Sequence, residues 1–169
     1  LRKNLGKKNC ELADEDIARI CDTFLKFEES EQSKIFPNAA FGYWKLTVER
    51  PLRLEGIDPE RAYSAKEIKA LKETAERADD APPVIKKIHK TGTAADPLRG
   101  LVTATIAGKP AVVEYESDPE LRDTEQVPLL EEGGIEAFLR REVLPHAPDA
   151  WYLPDSVKTG YEISFTRYF

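Results

Sequence analysis

Methionine is absent from this chain, and cysteine and histidine occur only twice each. The missing methionine has no physical explanation, but the other two scarcities exclude chemistry. Cys10 and Cys21 lie near one end while His89 and His146 stand far apart, so no Cys/His spacing suits a zinc site. No metal ligand is expected. Apolar runs are only a few residues long, well short of the ~20 that a membrane-spanning helix needs, so no membrane partner is expected. A Gly-rich phosphate loop, a Gly-x-Ser-x-Gly elbow and a His-Glu-x-x-His pair are all missing. The sequence therefore names no catalytic and no cofactor-binding residue.

Excess positive charge is also lacking, because 25 Lys and Arg face 31 Asp and Glu for a net charge of −6. A dedicated nucleic-acid module normally carries an electropositive footprint that neutralises phosphate, so any DNA contact here must be local. The DNA-backbone candidates are Arg2, Lys3, Lys7 and Lys8, ahead of the Lys86, Lys87, Lys90 cluster beside His89. A solvated surface face is the commoner role of such clusters. The chain begins at Leu1, and its basic arm is not followed by an apolar stretch, so it reads as an internal cut rather than a signal peptide. With the cysteines read as reduced thiols, a cytoplasmic location is expected.

What is present is an alternation of helix and strand signals. Ile17, Ile20, Cys21, Phe24 and Phe27 recur at helical spacing, which predicts a helix over 13–27 with Asp14 as N-cap and one core-directed face. Trp44, Leu46 and Val48 alternate with Tyr43, Lys45 and Thr47, a half-buried strand ended by Pro51. Ser64-Ala65-Lys66-Glu67 is a capping box, in which hydroxyl and carboxylate satisfy the free amides of a helix start. The helix should run to about Ala78 along a narrow stripe of Ile68, Leu71 and Ala75. Val84, Ile85 and Ile88 suggest a short further helix. Leu101–Ile106 and Ala111–Tyr115 read as a hairpin joined by Ala107-Gly108-Lys109-Pro110.

Residues 117–128 are charged and turn-like, and Ile135, Phe138, Leu139 and Val143 form the stripe of a last helix ending before Pro145. The carboxylate pairs Glu131 with Glu132 and Asp14 with Asp16 suit helix starts and loops better than acid–base work. His146 suits a helix C-terminus. The tail concentrates rings, and its interface candidates are Trp151, Tyr161, Phe165, Arg167, Tyr168 and Phe169; Tyr161, Ile163 and Phe165 alternate as a strand would. The expected class is α+β, mostly helical, with a few short antiparallel strands.

Three stretches carry a resemblance. They are Leu1-Arg2-Lys3-Asn4-Leu5-Gly6-Lys7-Lys8; then Phe27 to Phe36 with Phe41-Gly42-Tyr43 and Leu46-Thr47-Val48-Glu49-Arg50-Pro51-Leu52-Arg53-Leu54; and lastly Asp118 to Glu125, Val127-Pro128-Leu129, Arg141 to His146, Pro148-Asp149-Ala150-Trp151 and Gly160 to Phe169. Taken together, in this order, they resemble the C-terminal region of the modification subunit of type I restriction-modification systems. The closing segment has Ile163-Ser164-Phe165 where the family usually has Ile-Pro-Phe.

The resemblance implies a parent N6-adenine DNA methyltransferase that uses S-adenosylmethionine. Two modification subunits would assemble with one specificity subunit, act on DNA within that complex, and join restriction subunits in the full assembly. The family's Asn-Pro-Pro-Phe-like catalytic motif and its glycine-containing cofactor turn do not occur here, since the sole Pro-Pro pair is Pro82-Pro83 between Ala81 and Val84. Neither a Rossmann-like methyltransferase core nor any catalytic residue can be carried over. The expected layout is a basic arm over 1–12, then a C-terminal domain over 13–169 with a variable insertion near 55–117. A free-standing interaction or regulatory domain related to that terminus is the rival, and an independent small enzyme the weakest alternative.

Overall fold

The computed structural model describes residues 11–163, and the chain divides into two units between Asn38 and Ala39. In the first unit, α1 (Asp14–Lys26) forms where the helical spacing predicts it. Ala13, not Asp14, occupies the N-cap, and its amide donates to Asp16 Oδ2 at 3.4 Å. Ion pairs Asp16–Arg19 and Asp22–Lys26 line the polar side. The expectation of a core-directed face fails. No residue of α1 is buried, and Ile17, Ile20, Phe24 and Phe27 are all exposed, as is Cys21. A helical period specifies an amphipathic surface but not what covers it.

The second unit runs β1 (Gly42–Glu49), α2 (Ala65–Thr74), β2 (Ile85–Ile88), β3 (Leu101–Ile106), β4 (Lys109–Tyr115), β5 (Asp123–Pro128), α3 (Gly134–Phe138), β6 (Trp151–Tyr152) and β7 (Lys158–Tyr161). The class is mixed α+β with antiparallel sheets, and strand is as abundant as helix, so the mostly helical expectation is corrected. No described helix is long and apolar enough to cross a membrane.

β1 is the centre of the first sheet. β5 pairs with it along one edge, from Tyr43 opposite Pro128 to Val48 opposite Asp123, and β6 and β7 share the other. Between β6 and β7 the chain leaves the ladder, and the Ser156 hydroxyl fills the gap by accepting from the Thr47 amide at 2.9 Å. As the alternation predicts, Leu46 and Val48 turn inward, joining Leu98, Val127, Leu139, Val143, Ala150 and Tyr152 in one core cluster. α3 continues directly into a π-helical turn, Leu139–Val143, closed by the Leu144 amide on the Leu139 carbonyl at 2.9 Å. That turn aims both Leu139 and Val143 into the core.

The second sheet has the order β2-β4-β3. Its hairpin closes through Ala107 and Gly108 alone, with φ of 49° and 75°. Two consecutive positive φ values mark the turn type whose twist matches paired strands, so Lys109 and Pro110 belong to β4 rather than to the loop. The segment around Val84 and Ile85, expected to be helical, is strand instead. Pro82 and Pro83 hold the backbone extended ahead of β-branched residues, and β4 offers an edge to pair with. α2 carries the predicted capping box, with the Ser64 amide donating to Glu67 Oε2 at 2.8 Å and the Glu67 amide to Ser64 Oγ at 3.4 Å. It stops at Thr74, short of Ala78, and rests Ile68 on a second core cluster of Leu52, Leu54, Ile57, Tyr63 and Val84.

Residues 50–54 tie the two sheets together. Leu52 donates to the Glu116 carbonyl at 2.8 Å and accepts from the Val84 amide at 2.9 Å, while Pro51 bridges to Ser117 and Arg53 to Pro83. Pro51 thus ends regular β1 without ending the extended chain. Residues 55–117 are built into the same unit, since Leu98 enters the first core and Gly100 lies against the Trp151 ring.

Candidate functional site

Just beyond the hydrophobic part of β1, its last residue is charged and buried. Glu49 is 1% exposed, and Arg122 donates to Glu49 Oε1 through Nε at 2.8 Å, with its Nη2 2.7 Å from the same oxygen. Glu49 Oε2 is buried and has no hydrogen-bond partner among the described residues. A buried carboxylate is tolerable only where a cation compensates it, so Arg122 is required here for the sheet end to close.

Next along the chain, Arg50 and Arg53 converge on a single carboxylate. Arg50 Nε donates to Asp149 Oδ1 at 2.8 Å and Arg53 Nη2 to Asp149 Oδ2 at 3.1 Å, while Arg53 Nη1 holds the Ala81 carbonyl at 3.0 Å. Burial pushes the Asp149 carboxyl up, but hydrogen bonds and charge from the two guanidiniums outweigh it and hold the group below the usual carboxylate range. Asp118, also buried, donates its amide to the Arg50 carbonyl at 2.9 Å and caps its own turn by accepting from the Glu120 amide at 3.0 Å. Arg77 joins this end through Asp118 at 3.6 Å and through Glu120.

The result is a clasp of alternating charge. Arg53, Arg77, Asp79, Asp118 and Glu120 line a cleft of about 350 Å³ on it. The lining includes no hydroxyl, thiol or imidazole that could act as nucleophile or base, and no described group of His, Cys, Asp and Glu could hold a metal ion. What the arrangement can do is lock the exit of β1 and present guanidinium and carboxylate groups at its rim, where Arg122 and Glu120 are exposed.

The residues singled out from the sequence scatter. Arg2, Lys3, Lys7 and Lys8 lie outside the described residues, as do Phe165, Arg167, Tyr168 and Phe169. Trp151 and Tyr152 are buried in β6, and Tyr152 shares the first core cluster with Leu139. Tyr161, by contrast, is 63% exposed at the end of β7, opposite Gly42; of the strand expected over 161–165, only Tyr161 belongs to β7, and residues 164 and 165 lie outside the described residues.

The Lys86, Lys87, Lys90 cluster is partly neutralised. Lys87 lies 3.5 Å from Glu114, which also meets His89 Nε2 at 2.5 Å. Burial raises that carboxyl, and its bond to His89 with the nearby Lys87 charge more than offsets it. The paired carboxylates are structural, since Glu131 binds Arg141 and Asp16 caps α1. The clasp itself was not singled out. Its one signal was that Glu49, Arg50, Arg53, Asp118, Arg122 and Asp149 all sit inside the stretches that carry the family resemblance.

Comparison with known protein families, curated proteins and solved structures finds no match to this chain.

Proposed function

We propose that this chain is the non-catalytic C-terminal region of the modification subunit of a type I restriction-modification system, supporting assembly with the specificity subunit and placement on DNA. One observation carries the reading. Residues from stretches far apart in sequence, each resembling that subunit, form ion pairs at the end of β1: Arg50 and Arg53 reach Asp149 across separations of 99 and 96 residues, and Glu49 reaches Arg122 across 73. The clasp offers guanidinium and carboxylate groups largely paired with one another, which suits charge-complementary holding of a partner.

S-adenosylmethionine belongs in this reading to the parent subunit and not to this chain. Calorimetry of the 169-residue chain with S-adenosylmethionine should give no heat of binding, and the chain should transfer no methyl group to DNA. Micromolar binding would overturn the assignment of the cofactor elsewhere. For the reading as a whole, the decisive observation is the coding sequence immediately upstream of Leu1. An in-frame adenine methyltransferase domain supports it, and any other domain, or none, favours a free-standing interaction domain.

A further inference from the structure

Exposed apolar side chains scattered singly mean little, but a contiguous patch of them marks a docking surface. Six of the twelve large apolar residues that stand exposed among the described residues fall within 12–27, on and beside α1. Ile17, Ile20, Cys21 and Phe24 occupy positions i, i+3, i+4 and i+7, one helical arc of about 100°, and Phe24 is 78% exposed. Leu25 and Phe27 widen this face toward the C-cap. α1 has 13 residues and buries none of them, and a helix of such length is marginal in water unless its apolar face is covered.

The charges around the face decide what covers it. Asp14, Glu15 and Asp16 stand in the first turn, and Glu28, Glu29 and Glu31 follow the last. The two cations of the helix, Arg19 and Lys26, are already paired with Asp16 and Asp22. Both ends of the apolar stripe are therefore acidic. A second copy of α1 is disfavoured, since antiparallel pairing brings Asp14 to Asp16 against Glu28 to Glu31, and parallel pairing brings each acidic end against itself. A lipid surface is disfavoured as well, because helices that lie on membranes carry Lys and Arg on the polar face. Nucleic acid would meet the same repulsion.

We propose that α1 is a docking helix that inserts Ile17, Ile20, Cys21 and Phe24 into an apolar groove of another protein, rimmed at both ends by Lys and Arg. These four positions have the anchor spacing with which an amphipathic helix fills such a groove. A cationic rim complements the acidic ends, fixes how the helix lies and speeds encounter. Docking also provides the burial that α1 lacks, so the amides of the helix should exchange more slowly once it is bound. The inference rests on α1 alone and is independent of the restriction-modification reading.

The probe is a designed two-helix hairpin with a leucine-lined groove, made once with lysine and once with glutamate along both rims. Calorimetry of the 169-residue chain at about 50 mM salt should give micromolar binding to the lysine-rimmed hairpin, at least ~10-fold tighter than to the glutamate-rimmed one, and the gap should narrow at about 500 mM salt. Phe24→Asp should abolish binding without moving the unfolding midpoint, because α1 buries no residue in the free chain. Glu28→Lys/Glu31→Lys places cations past the helix C-terminus, where they favour the helix, and should weaken binding to the lysine rim but not to the glutamate rim. Equal affinity for the two hairpins, binding to neither, binding that survives Phe24→Asp, or retention of the chain on vesicles of phosphatidylcholine and phosphatidylserine overturns the inference.

Discussion

Asp149 holds two arginines with one carboxylate, and that makes it the most consequential single side chain of the clasp. Its pKa is depressed in the folded state, from an ordinary value of 3.8, so the unfolded chain takes up a proton first as the pH falls. Its contribution is therefore fully present above about pH 4–5, where the unfolded carboxyl is ionised, and is lost as the pH drops through the lower folded value. Asp149→Asn should destabilise the protein by about 1.5–3 kcal/mol at pH 7, the usual loss for hydrogen bonds to charged groups. The difference from the parent chain should shrink below pH ~4. Urea unfolding at pH 7 and at pH 3 measures both; a gap that stays constant between the two would assign the effect to packing. Glu49 differs, because its partner is the accessible one. Arg122→Ala strands a buried carboxylate and should cost about 3 kcal/mol, whereas the same change in a Glu49→Gln background should cost much less. Equal costs in the two backgrounds would mean that the pair is not coupled.

At the scale of elements, a pair of glycines separates backbone strain from packing. Gly100 and Gly108 have φ of 78° and 75°, so alanine at either adopts an unfavourable conformation at about 1–2 kcal/mol. Around Gly108 a new Cβ meets nothing within 4 Å, while at Gly100 it would lie 3.1 Å from Cδ1 and Nε1 of Trp151. Gly100→Ala should thus be the more destabilising of the two and should shift tryptophan emission, with Gly108→Ala leaving the spectrum unchanged. Matching spectra would show that the ring can move aside at little cost.

The elements readable in advance were those with local signatures: the period of α1, the Ser64–Glu67 box, the alternation of β1 and the β3–β4 hairpin. β5 reads as turn in the sequence because only Val127 along it is buried and its remaining residues are mostly charged or polar. β2 reads as helix and β7 is expected several residues later than it lies for a related reason, since Lys86-Lys87 and Lys158-Thr159 are edge residues whose strand conformation comes from the partner's hydrogen bonds. The clasp had no local signature at all, for its pairs join residues 73 to 99 positions apart.

For the molecule as a whole, the tail decides how complete the first sheet is. β7 covers Gly42 to Lys45 of β1, its Gly160 lies where a Cβ would come within 2.6 Å of the Tyr43 ring, and the Glu162 amide reaches the Phe41 carbonyl at 2.9 Å. β6 and the Ser156 hydroxyl cover the other half of that edge independently. A chain ending at Val157 therefore keeps Trp151, Tyr152 and Ser156 and the core cluster they serve, yet leaves Gly42 to Lys45 of the central strand paired with β5 alone. At ~0.2–1 kcal/mol for each cross-strand pair, the loss should be about 1–4 kcal/mol. The unfolding midpoint should fall with the transition still cooperative, because the apolar core is intact. Amide exchange should quicken at Tyr43 and Lys45, which face β7, and remain slow at Trp44, Leu46 and Val48, which face β5. If instead the truncated chain exchanges uniformly fast, β7 is required for the entire sheet and the two halves of the β1 edge are not separable; if its stability is unchanged, β7 contributes nothing to the fold.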